Sequence, residues 1–502
     1  MPDLSSVQPF VFPLQGGLVL DRSTFAMEPG MALELENFEP DTSGGYRRIS
    51  GYSKWNPNVV PFTAADSEPV LMSVLFKGQV VAARGTAVYK AGTTGSWTSV
   101  DTGRTGAKKY TYFRYNLGGT DLLVWCDGAN RASKYDGTTV TDLSGTGAPL
   151  NPQYVAGFKN ALFFAGMSAN PQEIVFTAPY SDTDFTPASG AGSILIDSPV
   201  TGLIPFRDSL YIFGEERIYR LQGNTISDFL LEPVTREIGC RAPFTIQEFA
   251  GDVIFLGPDG LRTVAGTERI GDVELGTLSR PVQPLFENLS DVDEFESVVI
   301  PDKTQYRIFF VNSASRTRAT TRGVICVRKG DTYEFGETKG VQPSSTDFVI
   351  YQGQSFVIHG GFDGYVYRQE QGNTFDGETI FGRYRSPDIT AGDAGIRKNF
   401  QRVIINYSPT SLINADLFLR YDYEAPDVPR PAAYPFDSTK VVAIYGVSSY
   451  GTATYGGQSN PLIRQPVEGS GFAVALRVVD NGVSAPYSLK GFQLEFDVAA
   501  RR

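Results

Sequence analysis

The sequence predicts an all-β protein centred on a β-propeller of six or seven blades, with an N-terminal arm and a C-terminal β-sandwich domain. Composition gives the first indication. Fifty-three Gly, 31 Pro, 34 Phe and 25 Tyr in 502 residues disfavour helix and suit pleated, half-buried strands broken by tight turns. The second is a repeating strand–turn–strand theme from about residue 71 to 381. Its third-strand anchors, Tyr89, Tyr135, Phe176, Tyr219 and Arg262, lie 46, 41, 43 and 43 residues apart. That period fits four-stranded blades, each too small to bury both faces alone and so obliged to stack on its neighbours around an axis. An open array of β-sandwiches is the alternative arrangement.

Residues 1–65 form the arm. Gly16-Gly17, Pro29-Gly30 and Gly44-Gly45 predict short strands and turns without a core of their own. Residues 66–380 form the propeller. Its clearest units are Leu210-Tyr211-Ile212-Phe213 before Ile218-Tyr219-Arg220-Leu221, and Val253-Ile254-Phe255-Leu256 before Pro258-Asp259-Gly260-Leu261-Arg262. One helix is expected inside it. Thr277-Leu278-Ser279 offers a cap, Pro281 suits a first turn, and Val282, Leu285, Phe286 and Leu289 share a face directed at the propeller's outside. Residues 381–502 form the sandwich, with period-two alternation through Arg397–Tyr407, Asp416–Tyr423, Gly471–Val479 and Gly491–Phe496. Ser448 to Gln465, rich in Gly, Ser, Thr and Tyr, reads as a long loop.

Charge and chemistry narrow the function. A net charge of −11 argues against a surface that grips DNA phosphates, yet suits one past which DNA slides. The basic clusters Arg47-Arg48, Lys108-Lys109, Arg316/Arg318/Arg322 and Arg397-Lys398 read as solvated or subunit-contact positions. Cys126, Cys240 and Cys326 are sparse and odd in number, which suggests neither a disulfide framework nor a metal knuckle and fits a reducing cytoplasm. No signal peptide or apolar run of about 18 residues is evident, so no membrane insertion is expected.

His359 is the only histidine. It lacks a nearby nucleophile in sequence and reads as a strand-interior residue. Asp182 and Asp184, and the run Asp291, Asp293, Glu294 and Glu296, lack the spacing of a calcium loop and read as solvated carboxylates. Gly92-Thr93-Thr94-Gly95-Ser96-Trp97 resembles a sialidase turn without its Asp. No phosphate loop or dinucleotide fingerprint occurs. The expectation is a non-enzymatic protein without cofactor or metal. The rival from another class is a carbohydrate-binding or glycan-hydrolysing propeller, which needs a pair of carboxylates that nothing in the sequence singles out. An extracellular adhesin is a third reading.

Several motifs together resemble a known family. Gly16-Gly17-Leu18, Pro29-Gly30, Glu36-Asn37-Phe38-Glu39 and Gly44-Gly45-Tyr46-Arg47-Arg48-Ile49-Ser50-Gly51-Tyr52 are similar to the opening of tail nozzle proteins of short-tailed bacteriophages, also called packaged-DNA stabilisation or tail tubular proteins. Ile238-Gly239-Cys240, Ala242-Pro243 and Asp259-Gly260-Leu261-Arg262 resemble their propeller segment. Arg383 to Pro387, Gly392-Asp393, Arg397-Lys398 and Gly469-Ser470-Gly471 resemble their C-terminal domain. The resemblance implies a homohexameric ring in the virion tail, made in the host cytoplasm. Portal and adaptor proteins would sit above it, tail fibres, spikes or a needle would dock on it, and genomic DNA would pass through the lumen. It carries over no catalytic residue. The charge balance adds an expectation of a lumen lined by Asp, Glu, Ser, Thr and Asn, with Arg316, Arg318 and Arg322 as candidates for a ring that grips DNA before ejection.

Overall fold

A computed structural model of the chain describes residues 7–62, 68–117, 119–270, 277–287, 289, 292, 294–312, 320–408, 413–428, 430–437, 462–483 and 485–501. Among these, six four-stranded blades and one three-stranded sheet surround a common axis. Blades 1 to 4 are antiparallel meanders over residues 72–102, 111–142, 154–195 and 200–233. The three-stranded sheet, 247–263, follows, and blade 5 spans 294–339. Blade 6 takes three strands from 343–369, and its fourth is Tyr52–Lys54 from the arm, antiparallel to Val366–Gln369. An N-terminal strand thus completes the last blade and closes the ring.

The near-continuous apolar runs of the inner strands follow from this stacking. A blade strand is buried on both faces, so successive residues belong to different cores. Leu123 and Trp125 pack with Val74, Val81 and Val88 of blade 1, while Val124 and Cys126 between them pack with Leu162 and Phe164 of blade 3. Phe163 and Phe176 likewise meet Leu210, Ile212 and Leu221 of blade 4. The anchors Tyr89, Tyr135, Phe176, Tyr219 and Arg262 all lie on the third strand of their sheets.

The sandwich is built jointly by both ends of the chain. One sheet orders Phe38–Pro40, Tyr46–Arg48, Ser488–Arg501, Ile396–Ser408 and Leu462–Pro466, with Gln8–Pro13 also on Ser488–Arg501. The other runs from blade 5 through Glu34–Glu36 to Gly382–Arg385, Val474–Asp480, Asn414–Tyr421 and Tyr434–Asp437, nine strands in all. Glu36 bridges the two lobes, parallel to Glu337 of blade 5 and antiparallel to Arg383. Arm residues therefore fill the core: Phe12, Leu18, Leu35, Phe38 and Tyr46 are buried with Phe400, Leu417, Leu476 and Phe492.

Two local expectations are corrected. The helix expected over residues 277–289 is a 3-10 turn, Arg280–Val282, followed by one short α-turn, Pro284–Glu287. Pro284 has no N–H to continue the ladder, and the Ser279 hydroxyl accepts from Leu261 N instead of capping. Val282 and Phe286 are still the buried side chains, with Phe286 edge-on to Phe310 of blade 5. Another helix, Val264–Ile270, stands where none was expected. Of the loop expected over Ser448 to Gln465, the last residues instead belong to the strand Leu462–Pro466, which pairs with Ile396–Ser408; residues 438–461 lie outside the described residues.

Candidate functional site: the axial cavity

In every blade the first strand lies nearest the axis, and its axis-facing side chains have no neighbouring blade to pack against. Polar residues there line a shared space. That space is a cavity of about 790 Å³, walled by the first strands of all six blades and of the three-stranded sheet. Among its lining residues are Lys109, Tyr112, Arg114, Phe244, Glu296, Thr346, Asp347 and the exposed Glu248.

Apart from Glu248, the charged residues form one connected network across the axis. Lys109, just before the first strand of blade 2, pairs with Glu296 on the first strand of blade 5. Thr346 Oγ1 of blade 6 lies 2.7 Å from Glu296 Oε1 and 2.6 Å from Ser297 O. Tyr112 Oη lies 3.0 Å from both Thr346 O and Asp347 Oδ1. Arg114 donates to Asp347 Oδ2 and, at 3.1 Å, to Leu75 O of blade 1, while Leu75 N donates to the same Asp347 oxygen at 2.8 Å. Lys109 Nζ also sits 4.3 Å from the Phe244 ring centroid.

Burial sets the electrostatics. It raises the Glu296 carboxyl above the ordinary range, outweighing Lys109 and Thr346, which pull it down. Burial pushes Tyr112 well above an ordinary phenol, and Asp347 adds to the effect. For Arg114 burial opposes the charge, but Asp347 and Tyr112 more than offset it. The carboxylates are enclosed, with side-chain exposures of 6% for Glu296 and 1% for Asp347, while Lys109 and Arg114 retain 18% and 30%. What the cavity offers a visitor is therefore two cations, each backed by a buried anion, and the exposed carboxylate of Glu248.

The sequence had singled out other residues. His359 lies buried on Gln354–Gly361, stacked on Tyr367 with centroids 5.0 Å apart, edge-on to Tyr52, and 3.2 Å from Gln369 Nε2 through Nδ1. Asp182 pairs with Lys134, and Asp184 accepts from Thr186 N at 2.8 Å. Asp291, Asp293, Arg316 and Arg318 lie outside the described residues. Arg322 heads the third strand of blade 5, Arg322–Lys329, opposite Lys339, and does not line the cavity. The turn Gly92–Trp97 docks on the arm, with Asn56 Nδ2 donating to Gly92 O and Gly95 O, and Trp97 Nε1 to Asn58 O.

Three of the basic positions are not solvated as expected. Arg48 is fully buried against Asp480. Lys109 is in the axial network. Lys398 is 2% exposed, its ammonium donating to Asp393 O, Ile396 O and Phe472 O. Each has a buried carboxylate or a set of carbonyls that replaces water. The sequence reading missed Lys109, Tyr112, Arg114, Thr346 and Asp347 as a group. The available signal was a charge inside a first-strand run, as in Tyr112-Phe113-Arg114-Tyr115 and Thr346-Asp347-Phe348. Among the described residues no group of three or more His, Cys, Asp or Glu is placed to hold a metal ion, and no helix is long and apolar enough to cross a membrane.

No protein-family model matches the chain, and no curated protein matches it. Similar solved structures include the Neurospora crassa Pan2 WD40 domain, at 7% identity and a TM-score of 0.39, over 64% of this chain and 97% of that one. The AfRom2 CNH domain is similar at 11% identity and a TM-score of 0.38, over 64% and 100%. The computationally designed Ika8 protein is similar at 11% identity and a TM-score of 0.34, over 60% and 96%.

Proposed function

We propose that the chain is a structural, non-enzymatic component of a bacteriophage tail, a nozzle subunit of a short-tailed virion. Six copies close into a ring that retains packaged DNA and conducts it at ejection. The ring binds portal and adaptor proteins on one side and fibres, spikes or a needle on the other. The observation that carries this reading is what the family-like residues do. Tyr46 Oη accepts from Gly17 N at 3.0 Å and donates to Gly30 O at 2.7 Å. The Asn37 side chain donates to Phe381 O and accepts from Lys339 N. Arg48 joins Asp480, and Tyr52 closes blade 6.

Asn37 and Arg48 fasten propeller to sandwich, Tyr46 pins the arm's glycine turns, Tyr52 closes the last blade, and none belongs to the axial network. They specify a rigid two-lobed body, which rotational closure requires because every copy must meet the next at one fixed angle. The axial cavity has the volume of a small-molecule site, about 300–1,000 Å³, and ion pairs cross it. In this reading the DNA conduit is accordingly the space enclosed by the ring of subunits. Mass photometry of concentrated protein and of gently disassembled virions tests the proposal, with a hexamer expected. A strict monomer in both preparations overturns it.

A carbohydrate-binding or glycan-hydrolysing propeller is the second reading, favoured by the two carboxylates and aromatic walls of the axial cavity. It ranks second because both carboxylates are already held by cations. Saturable glycan binding by a monomer would reverse the order.

A further inference from the structure

We infer that the axial cavity binds a small organic anion, a carboxylate or phosphate monoester with a compact apolar body. This does not rest on the tail reading. The volume of about 790 Å³ suits such a ligand. Three charges reach the interior: the cations Lys109 and Arg114, because Glu296 and Asp347 lie behind them, almost fully enclosed, and the single exposed carboxylate Glu248 on the three-stranded sheet, which leaves the cations in excess. The two enclosed carboxylates hold the cations in place before any ligand arrives, so little ordering remains to be done on binding.

Donor capacity remains for a ligand. An ammonium has three donors and a guanidinium five. Lys109 Nζ donates to Glu296, and Arg114 Nη2 donates to Asp347 and Leu75 O. Arg114 Nε is buried without a hydrogen-bond partner. A ligand anion can thus share both cations without displacing either carboxylate. The half-buried Ile204, Pro205, Phe244, Ile246 and Phe348 give the same space an apolar wall for the ligand's body.

Phenyl phosphate is a suitable probe, titrated into the full-length chain by calorimetry, with phenol as its uncharged counterpart. Binding at one site per chain is expected, at least tenfold tighter than phenol and weakened severalfold by 0.5 M salt (about half-molar, where surface charges are largely screened). Lys109→Met alone strands the buried Glu296, so the double variant Lys109→Met/Glu296→Gln is the better test, because removing both members of a buried pair is tolerated more readily than removing one. It is expected to weaken phenyl phosphate at least tenfold. A phenyl phosphate-soaked structure of the unaltered protein, with the phosphate against Lys109 and Arg114, supports the inference whatever the variant does. Absence of saturable binding, equal binding of phenol, or a phosphate seated elsewhere overturns it.

Discussion

Arg48 and Asp480 meet at 3.2 Å with neither side chain exposed to solvent, joining the N-terminal segment to a strand near the other end of the chain. Arg48 Nη2 also donates to Ile380 O and Gly482 O, so one guanidinium ties the arm, the end of the propeller and the sandwich together. Burial raises the Asp480 carboxyl despite Arg48. Arg48→Met leaves that carboxyl without its counter-charge and is expected to cost about 3–5 kcal/mol in urea unfolding. Arg48→Met/Asp480→Asn should recover a large part of the loss. Equal stability of Arg48→Met and the unaltered chain would show that the pair does not couple the lobes.

Acid should loosen a second joint. Glu39 of the arm, Lys303 and Arg307 of blade 5, and Glu370 after blade 6 form a closed ring of ion pairs at 2.6–3.1 Å. Burial opposes the Glu370 charge, but Arg307 and Lys303 outweigh it and hold the carboxyl down to about 2. A folded pKa below the unfolded one contributes stability that is present above the ordinary carboxylate range and lost as pH falls toward 2. The unaltered chain should lose stability between about pH 4.5 and 2 more steeply than Glu370→Gln, as read by denaturant midpoints across that window. Parallel curves for the two proteins would remove Glu370 from the acid response.

The three thiols should be silent in the folded protein. Cys126, Cys240 and Cys326 are all buried. Burial raises each thiol, to about 11 for Cys240, and keeps the reactive thiolate scarce at neutral pH. A chromogenic disulfide reagent should report three equivalents after unfolding and essentially none before. Rapid labelling of the native chain would mean that the blades open locally.

His359→Ala should act on stability alone. The imidazole packs against Tyr52 and Tyr367, which also touch each other, so its removal opens a cavity at the closure of blade 6, with an expected cost of about 2–4 kcal/mol. Assembly and phenyl phosphate binding should be unchanged once folding is restored by a lower temperature. Their loss in a folded variant would assign the histidine a role beyond packing.

The blades were legible because burial on both faces imprints itself locally. A run such as Leu122–Cys126 followed by Asp127-Gly128 needs no knowledge of distant residues to be read as a strand and a turn. Pairings over hundreds of residues leave no such imprint. Tyr52–Lys54 and Glu34–Glu36 read only as short strands, and nothing in either segment names Val366–Gln369 or Gly382–Arg385 as partner. The buried cations failed for a related reason. Lys109, Arg48 and Lys398 look like any exposed Lys or Arg until Glu296, Asp480 and the carbonyl set around Lys398 are brought to them by the fold. Around residues 277–289 the buried face, Val282 and Phe286, was legible, but Pro284, which has no N–H to offer, interrupts the helix that such a face implies.

The strand Tyr52–Lys54 imposes a delay on biogenesis. It leaves the ribosome early, yet Val366–Gln369, its antiparallel neighbour, is made roughly 310 residues later. At about 5–20 residues per second, that separation is on the order of 15–60 s. Throughout that interval Tyr52 lacks His359, Tyr367 and Phe375, the rings that later surround it. The nascent chain must carry an unpaired aromatic strand while five blades and the three-stranded sheet form behind it, which makes this segment the natural client of a holding chaperone and the place where a truncated translation product would first aggregate.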